Sequence, residues 1–169
     1  MIATVATVGW LVIDTGLHAT GGYDFCTSCH STMAPIGLAY EDELHGGNNP
    51  AGWRAECVDC HLPHGNSLSY LLSKTRHGIV DPWVEMTTEP LEIDWHTNRE
   101  RREEYVYDSG CLTCHQALET TSMGNPKAFR PHRDYFAGES GKQCVSCHQH
   151  VGHRDLGTRL EEFGWRKPI

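Results

Sequence analysis

The chain opens on an almost unbroken apolar run, Ile2 to Ile13, in which only Thr and Gly interrupt Ile, Ala, Val, Trp and Leu. At 12 residues it falls short of the roughly 20 that span a bilayer. Extension over Asp14 to Gly22 adds length and one charge. The run lacks the charged n-region of a signal peptide and any A-x-A cleavage site before the first cysteines. The expectation is a membrane anchor over residues 1–22, its start missing or mis-assigned, with Trp10 and Tyr23 suited to an interface. A buried hydrophobic helix and a cleaved export signal are the alternatives. Residues 23–169 form the second unit.

Beyond this run the periodicity is weak. Ser67 predicts a helix cap, with Leu68, Leu71, Leu72 and Lys74 following and an end near Gly78. Asp81-Pro82 then breaks the chain, because the residue before proline avoids the α region. Pro35 predicts a short helix over Ile36 to His45. Thr97 to Glu100 reads as a capping box that opens a charged helix to about Tyr107, with Arg99 and Glu103 placed to pair at i, i+4. Everything else reads as loop, with no strands of note, no low-complexity segment and no phosphate-binding glycine loop. The fold class is mainly α with much loop.

Composition sharpens this. Only 38% of the 169 residues are hydrophobic and the mean hydropathy is −0.48, too little for a large all-protein core. The net charge of −8 does not suit a phosphate backbone, so nucleic acid drops out as a partner. Two counts remain to be explained, 8 Cys and 12 His.

The cysteines form four C-x-x-C pairs, Cys26/Cys29, Cys57/Cys60, Cys111/Cys114 and Cys144/Cys147, with none left over. The residue after every pair is histidine: His30, His61, His115 and His148. A disulfide framework or zinc knuckles would not demand that histidine, whereas c-type haem attachment does. Two thiols bond one haem across a single helical turn, and the adjacent histidine meets the iron as an axial ligand. Four c-type haems are therefore expected, about 42 residues of chain to each. Haems then supply much of the interior that the side chains lack. Attachment of this kind takes place outside the cytoplasm, so the haem domain should face the periplasm. The motif histidines are 31, 54 and 33 residues apart, two close pairs joined by a longer middle.

Four irons have up to four remaining axial places. Nine candidates compete for them: His18, His45, His64, His77, His96, His132, His150, His153 and Met33. A methionine would raise a haem's potential and a second histidine lower it.

The residues between the motifs carry a resemblance. The first motif continues as C-T-S-C-H-S-T-M. The stretch E-L-H-x-x-N…G-W-R-A-x-C-V-D-C-H-L-P-H spans the second, and the fourth runs C-V-S-C-H-Q-H-V-G-H. With one apolar segment in front of four motifs, the chain resembles the NapC/NirT family of membrane-anchored tetrahaem quinol dehydrogenases. In size it is most similar to the branch that serves cytochrome c nitrite reductase as its small subunit. The resemblance implies a multihaem cytochrome c domain behind an N-terminal transmembrane helix. It implies a methionine ligand near the first motif, here Met33. That residue stands three positions after His30, where the nitrite-reductase branch usually has it two after, so His30 and Met33 are both candidates. It also implies a quinol site lined by a Lys and an Asp seven residues apart, here Lys74 and Asp81, with Asp81 covering the vacant side of the first iron. His45 corresponds to the distal ligand of the third haem and His153 to that of the second. His132 lies where NapC-like members place another distal ligand, for the fourth haem; in the nitrite-reductase branch a partner-subunit lysine takes that place. Among the other histidines, His64 and His150 read as haem-edge, propionate or surface residues. His77 and His96 read either as neighbours of the quinol site or as surface residues, and His18 as an interfacial polar group.

The function implied is oxidation of quinol (menaquinol or a related quinone) at the cell inner membrane. Electrons pass to a periplasmic reductase, with nitrite reductase foremost. Two alternatives are a soluble tetrahaem shuttle and a relative that passes electrons into the quinone pool from a periplasmic oxidase. A catalytic multihaem reductase is disfavoured, because there is no C-x-x-C-K motif.

Overall fold

The computed structural model describes residues 2–28 and 31–167. Cys29 and His30, two of the expected haem-binding residues, lie outside the described residues. The elements are helices α1 (Ile2–Ala19), α2 (Tyr23–Ser28), α3 (Ala34–Glu41), α4 (Cys57–His61), α5 (Ser67–Thr87) and α6 (Trp95–Glu100). They continue with α7 (Asp108–Cys114), α8 (Leu118–Ser122), α9 (Pro126–Phe136), α10 (Cys144–Cys147) and α11 (Leu156–Glu162). Three short 3-10 turns lie between them, and the described residues contain one isolated β-bridge, Gly46 to Arg54, and no strand.

Helix α1 has none of its residues buried and a mean hydropathy of 1.3 over 18 residues. At 1.5 Å per residue it is about 27 Å long, close to the hydrocarbon thickness of a bilayer. By length and composition it can cross a membrane. Its last turn leads through Gly21 directly onto the haem-motif helices. The Val58 backbone N–H donates to the Gly21 carbonyl at 3.3 Å.

Two of the motif helices, α4 and α10, are single turns, and their sequences say why. The backbone N–H of Glu56 donates to Asp59 Oδ2 at 2.8 Å, and that of Gln143 donates to Ser146 Oγ at 2.9 Å. The second spacer residue of each of these two C-x-x-C pairs thus ties down the residue before the first cysteine, closing the turn from the inside. His115 and His148 then leave helical geometry at ψ 42° and 63°.

Helix α4 meets α7 at backbone distance. Tyr107 N–H donates to the Cys60 carbonyl at 3.0 Å, and His64 N–H to Ser109 Oγ at 2.9 Å. Gly110 is buried there, and a Cβ on it would fall on the Asp59 carbonyl oxygen. Gly110→Ala should therefore destabilise the protein by about 1–3 kcal/mol. Gly78→Ala is the control: its Cβ would meet nothing within 4 Å, and removing a mid-helix glycine should stabilise by up to about 1 kcal/mol. Denaturant unfolding of the two variants checks both signs.

The protein core is small. Ile36, Ala39 and Tyr40 of α3, Leu160 of α11 and Trp165 form its main cluster, with Ala55, Leu62 and Val145 buried elsewhere. The C-terminal segment is held onto α3 by Arg154 N–H to the Ala39 carbonyl (3.1 Å) and by Arg159 to Asp42 (2.6 Å).

Three expectations about elements need correction. Helix α5 does not end near Gly78 but runs unbroken through Pro82 to Thr87, and its cap is Asn66, whose side chain accepts from Ser69 N–H at 2.8 Å. Pro82 removes only the bond that Gly78 would accept, and both residues are exposed, so water or another polar medium can take that place. The charged helix starts earlier than the proposed capping box, at Trp95, with Asp94 accepting from Thr97 N–H at 3.0 Å. It breaks at Arg101, so Arg99 and Glu103 no longer share a helical face, and Glu103 accepts from the Ser146 hydroxyl instead. Helix α3 has the expected early proline but ends at Glu41, short of His45.

Candidate functional site: a histidine-lined haem cavity

The interior is one continuous cavity of about 2040 Å³, walled by residues from every motif among the described residues. It far exceeds the roughly 300–1,000 Å³ of an ordinary ligand pocket. Cys26, Cys57, Cys60, Cys111, Cys114, Cys144 and Cys147 all line it. The thiols of Cys26 and Cys57 lie close enough to perturb each other, and so do those of Cys111 and Cys144. The first motif therefore abuts the second, and the third abuts the fourth, as the close spacing within each half of the chain suggested.

The cavity walls present histidines in facing pairs. His61 and His153 have ring centroids 6.1 Å apart, His45 and His115 6.2 Å, and His132 and His148 6.1 Å at an interplanar angle of 10°. An imidazole nitrogen binds a metal ion at about 2 Å and the ring centroid lies about 1 Å behind it, so two imidazoles on opposite sides of one iron stand about 6 Å apart. The residues present fit c-type haem: each of the three pairs joins one motif histidine to one histidine from elsewhere in the chain, at the separation that ligation requires.

Hydrogen bonds distinguish three of these rings, His45, His61 and His153, from His64 and His96. His45 Nδ1 bonds Glu43 Oε2 at 3.0 Å, His61 Nδ1 bonds the Tyr105 carbonyl at 2.8 Å, and His153 Nδ1 bonds the Ile36 carbonyl at 3.2 Å. A proton held on Nδ1 leaves the Nε2 lone pair for a metal, and the acceptor behind it fixes the ring's orientation. His64 and His96 are wired the other way, through Nε2 to the carbonyls of Val58 (3.1 Å) and Trp165 (3.1 Å). His96 is thus a buried structural histidine away from Lys74, and His150 is exposed. His132 Nδ1 is buried on the cavity wall with no hydrogen-bond partner, a nitrogen the protein alone leaves unsatisfied. Desolvation holds His61 below the usual histidine value and takes His153 down to about 4. Both are neutral at pH 7, the form in which imidazole ligates. Their accessible edges face the cavity, which reconciles this strong desolvation with surface that is not fully covered.

The loop that carries His45 is unusually well fixed. Tyr40 Oη donates to the His45 carbonyl at 2.9 Å, and Ala55 N–H donates to the same carbonyl at 2.8 Å. Arg54 Nε donates to the Gly46 carbonyl at 2.9 Å while its guanidinium lies 5.0 Å from the Tyr23 ring centroid. Glu43 is a functional residue that sequence reasoning missed. The available signal was a carboxylate two residues before a candidate ligand.

Beside the first motif, Lys74, His77 and Asp81 share one face of α5 and line the cavity with Met33 and Cys26. Lys74 Nζ donates to the carbonyls of Leu17 (2.9 Å) and Thr20 (3.2 Å), where α1 ends. A cation at that end suits the helix dipole, while burial pushes the lysine's pKa down. His77 Nδ1 bonds Asp81 Oδ2 at 3.1 Å, and that bond raises the histidine's pKa. One turn further along, Glu85 accepts from the buried Thr32 hydroxyl at 2.8 Å, next to Met33. The expected turn that would carry Asp81 back over the site is absent: Asp81 reaches the cavity from a continuous helix, two turns from Lys74.

Comparison with known proteins identifies the family. The model of the NapC/NirT cytochrome c family, N-terminal region, matches residues 1–158. Cytochrome c-type protein TorY of Escherichia coli O157:H7 is 31% identical over 165 residues, 91% of this chain, of which the chain spans only 43%. The tetraheme c-type cytochrome CymA of Shewanella oneidensis is 32% identical over 164 residues, 88% of this chain and 84% of CymA. Among solved structures, the cytochrome c nitrite reductase NrfHA complex bound to the inhibitor HQNO superimposes with a TM-score of 0.59 at 27% identity, covering 90% of this chain and 87% of that one. The chain belongs to the NapC/NirT family of c-type cytochromes, proteins of electron transport whose cofactor is c-type haem.

Proposed function

We propose that the protein is a membrane-anchored tetrahaem cytochrome that oxidises quinol and passes the electrons to a periplasmic reductase. Residues 1–22 anchor it in the inner membrane, and residues 23–169 form the haem domain on the periplasmic side. The cysteine pairs Cys26/Cys29, Cys57/Cys60, Cys111/Cys114 and Cys144/Cys147 hold four haems. His61 with His153, His115 with His45, and His148 with His132 are the axial pairs of the second, third and fourth; His30 or Met33 serves the first. When bound, the haems supply one-electron redox chemistry. The chain's own residues bind and orient the quinol and take its protons.

One observation carries the quinol reading. Lys74, His77 and Asp81 present an ammonium, an imidazole and a carboxylate on one helix face, beside the first motif and at the end of the apolar helix α1. A lipid-soluble quinol reaches the protein at that level. Two of the three ammonium protons of Lys74 are engaged by α1 carbonyls, leaving one for a quinol oxygen. The His77–Asp81 pair stands two turns along as proton acceptor.

The partner is a periplasmic reductase. The likeness to the NrfHA complex supports a nitrite reductase. The His132–His148 pair supports a fourth haem whose ligands both come from this chain, so that the reductase need not supply one. Purified full-length protein in liposomes should show four haem adducts by intact mass under denaturing conditions, and menaquinol should reduce its haems. Three or fewer adducts overturn the tetrahaem reading. Haems that dithionite reduces but menaquinol does not overturn the quinol reading.

A further inference from the structure

We propose that α5 lies in the membrane surface, its outer face sunk among the lipids, as a second membrane contact beside α1. This rests on the reading of α1 as the anchor and deepens the quinol site by giving it a lipid floor.

The helix is two-sided along its whole length of about 31 Å. Leu68, Leu72, Ile79, Trp83 and Met86 recur at helical spacing along one side, and each is between 63% and 83% exposed. Leu71 and Pro82 flank the stripe where it meets the rim of the cavity and are also exposed. The opposite side carries Lys74, His77, Asp81 and Glu85 and lines the cavity. A soluble protein rarely leaves so long a stripe uncovered.

Its position names the occupant. Lys74, near the middle of α5, is bonded to the carbonyls where α1 ends. The centre of the stripe therefore sits at the level at which α1 leaves the bilayer, and the two apolar surfaces are continuous there. The composition fits a helix in the interface plane rather than one that spans: a large apolar side, a charged opposite side, and exposed Trp83 and Arg76 suited to the headgroup region. The Gly78 carbonyl, which Pro82 gives no N–H in the helical ladder, also belongs among headgroups and water rather than at the hydrocarbon centre. The lipid surface thus closes the outer side of the helix whose inner side holds the proposed quinol groups.

The test uses the full-length holoprotein in nanodiscs of phosphatidylethanolamine and phosphatidylglycerol that contain a lipid with a diazirine on its upper acyl chain. After illumination, lipid adducts are mapped by peptide mass. Adducts on residues 68–86 as well as on α1 support the proposal. Adducts confined to α1 overturn it, as does protection of the stripe only when a second copy or a reductase is added. The triple variant Leu72→Gln, Ile79→Gln, Trp83→Gln should lose the α5 adducts while keeping those on α1 and all four haems; unchanged α5 labelling in this variant would count against the stripe as the contact. The readout is independent of turnover: quinol oxidation without α5 adducts defeats this proposal alone, and adducts without quinol oxidation defeat the functional reading alone.

Discussion

Replacing His153 by Ala should turn one of the low-spin haems of the holoprotein high-spin, and His153→Met should keep it low-spin but raise its potential. The ring of His153 faces His61 at 6.1 Å, is held through Nδ1 by the Ile36 carbonyl, and is kept neutral at pH 7 by desolvation. All three features prepare Nε2 for iron. His45→Ala should do the same at His115, and Glu43→Gln should raise that haem's potential by a smaller step, because the carboxylate behind His45 makes the imidazole a stronger donor. The histidines wired through Nε2 are the controls. His64→Ala should leave the haem spectrum unchanged. His96→Ala should leave it unchanged too, while costing about 1–3 kcal/mol of stability by stranding the buried Trp165 carbonyl. Electron paramagnetic resonance and spectropotentiometry read these outcomes. A parental spectrum and potentials in both His153→Ala and His45→Ala would refute the pairing.

The four C-x-x-C-H motifs are complete in the sequence because covalent attachment needs fixed residue types at fixed spacing. The distal histidines are not legible in that way. Nothing in the residues around His45, His132 or His153 separates them from His64 or His96, and only the family resemblance implied their partners. What separates His45 and His153 from His64 and His96 in the structure is the nitrogen each uses and the acceptor behind it, while His132 is set apart by its ring lying 6.1 Å from that of His148. The acceptor behind His153 is a backbone carbonyl, of Ile36, which has no signature in a sequence. The course of α5 was misjudged for a related reason. Gly78 and Pro82 are local breakers, and local propensity favours a turn there. Yet Asn66 caps the helix, Lys74 fixes it to α1 and Glu85 ties it to Thr32, so contacts far apart in the chain outweigh the one hydrogen bond that Pro82 forfeits. Leu68 and Leu72 face outward and Leu71 stands at the edge of the haem cavity, because the cavity takes the polar side of the helix.

Quinol oxidation should fall by about 10²-fold or more in Asp81→Asn, the scale of a lost general base, while dithionite still reduces every haem. Quinol must lose two protons as it is oxidised, and Asp81 and His77 form a hydrogen-bonded acceptor pair on the cavity wall, on the same helix face as Lys74. The bond from Asp81 keeps His77 protonated to a pH above its ordinary 6.5. A protonated pair cannot accept, so the rate should rise with pH through that raised value. In Asp81→Asn the histidine loses its partner, and the residual activity should turn on at lower pH. The same raised pKa stabilises the fold fully below about pH 6.5 and loses that contribution as pH rises through the folded-state value. Both groups are more than a third exposed, so the effect on stability is small and the pH signature belongs to turnover. Lys74→Met should act differently: it removes the ammonium that holds the quinol oxygen and also frees the α1 carbonyls of Leu17 and Thr20. It should raise KM for quinol as well as lower kcat, whereas Asp81→Asn should act mainly on kcat. Parental rates and an unmoved pH profile in both variants would show that this face of α5 is a surface ion pair and that quinol enters elsewhere.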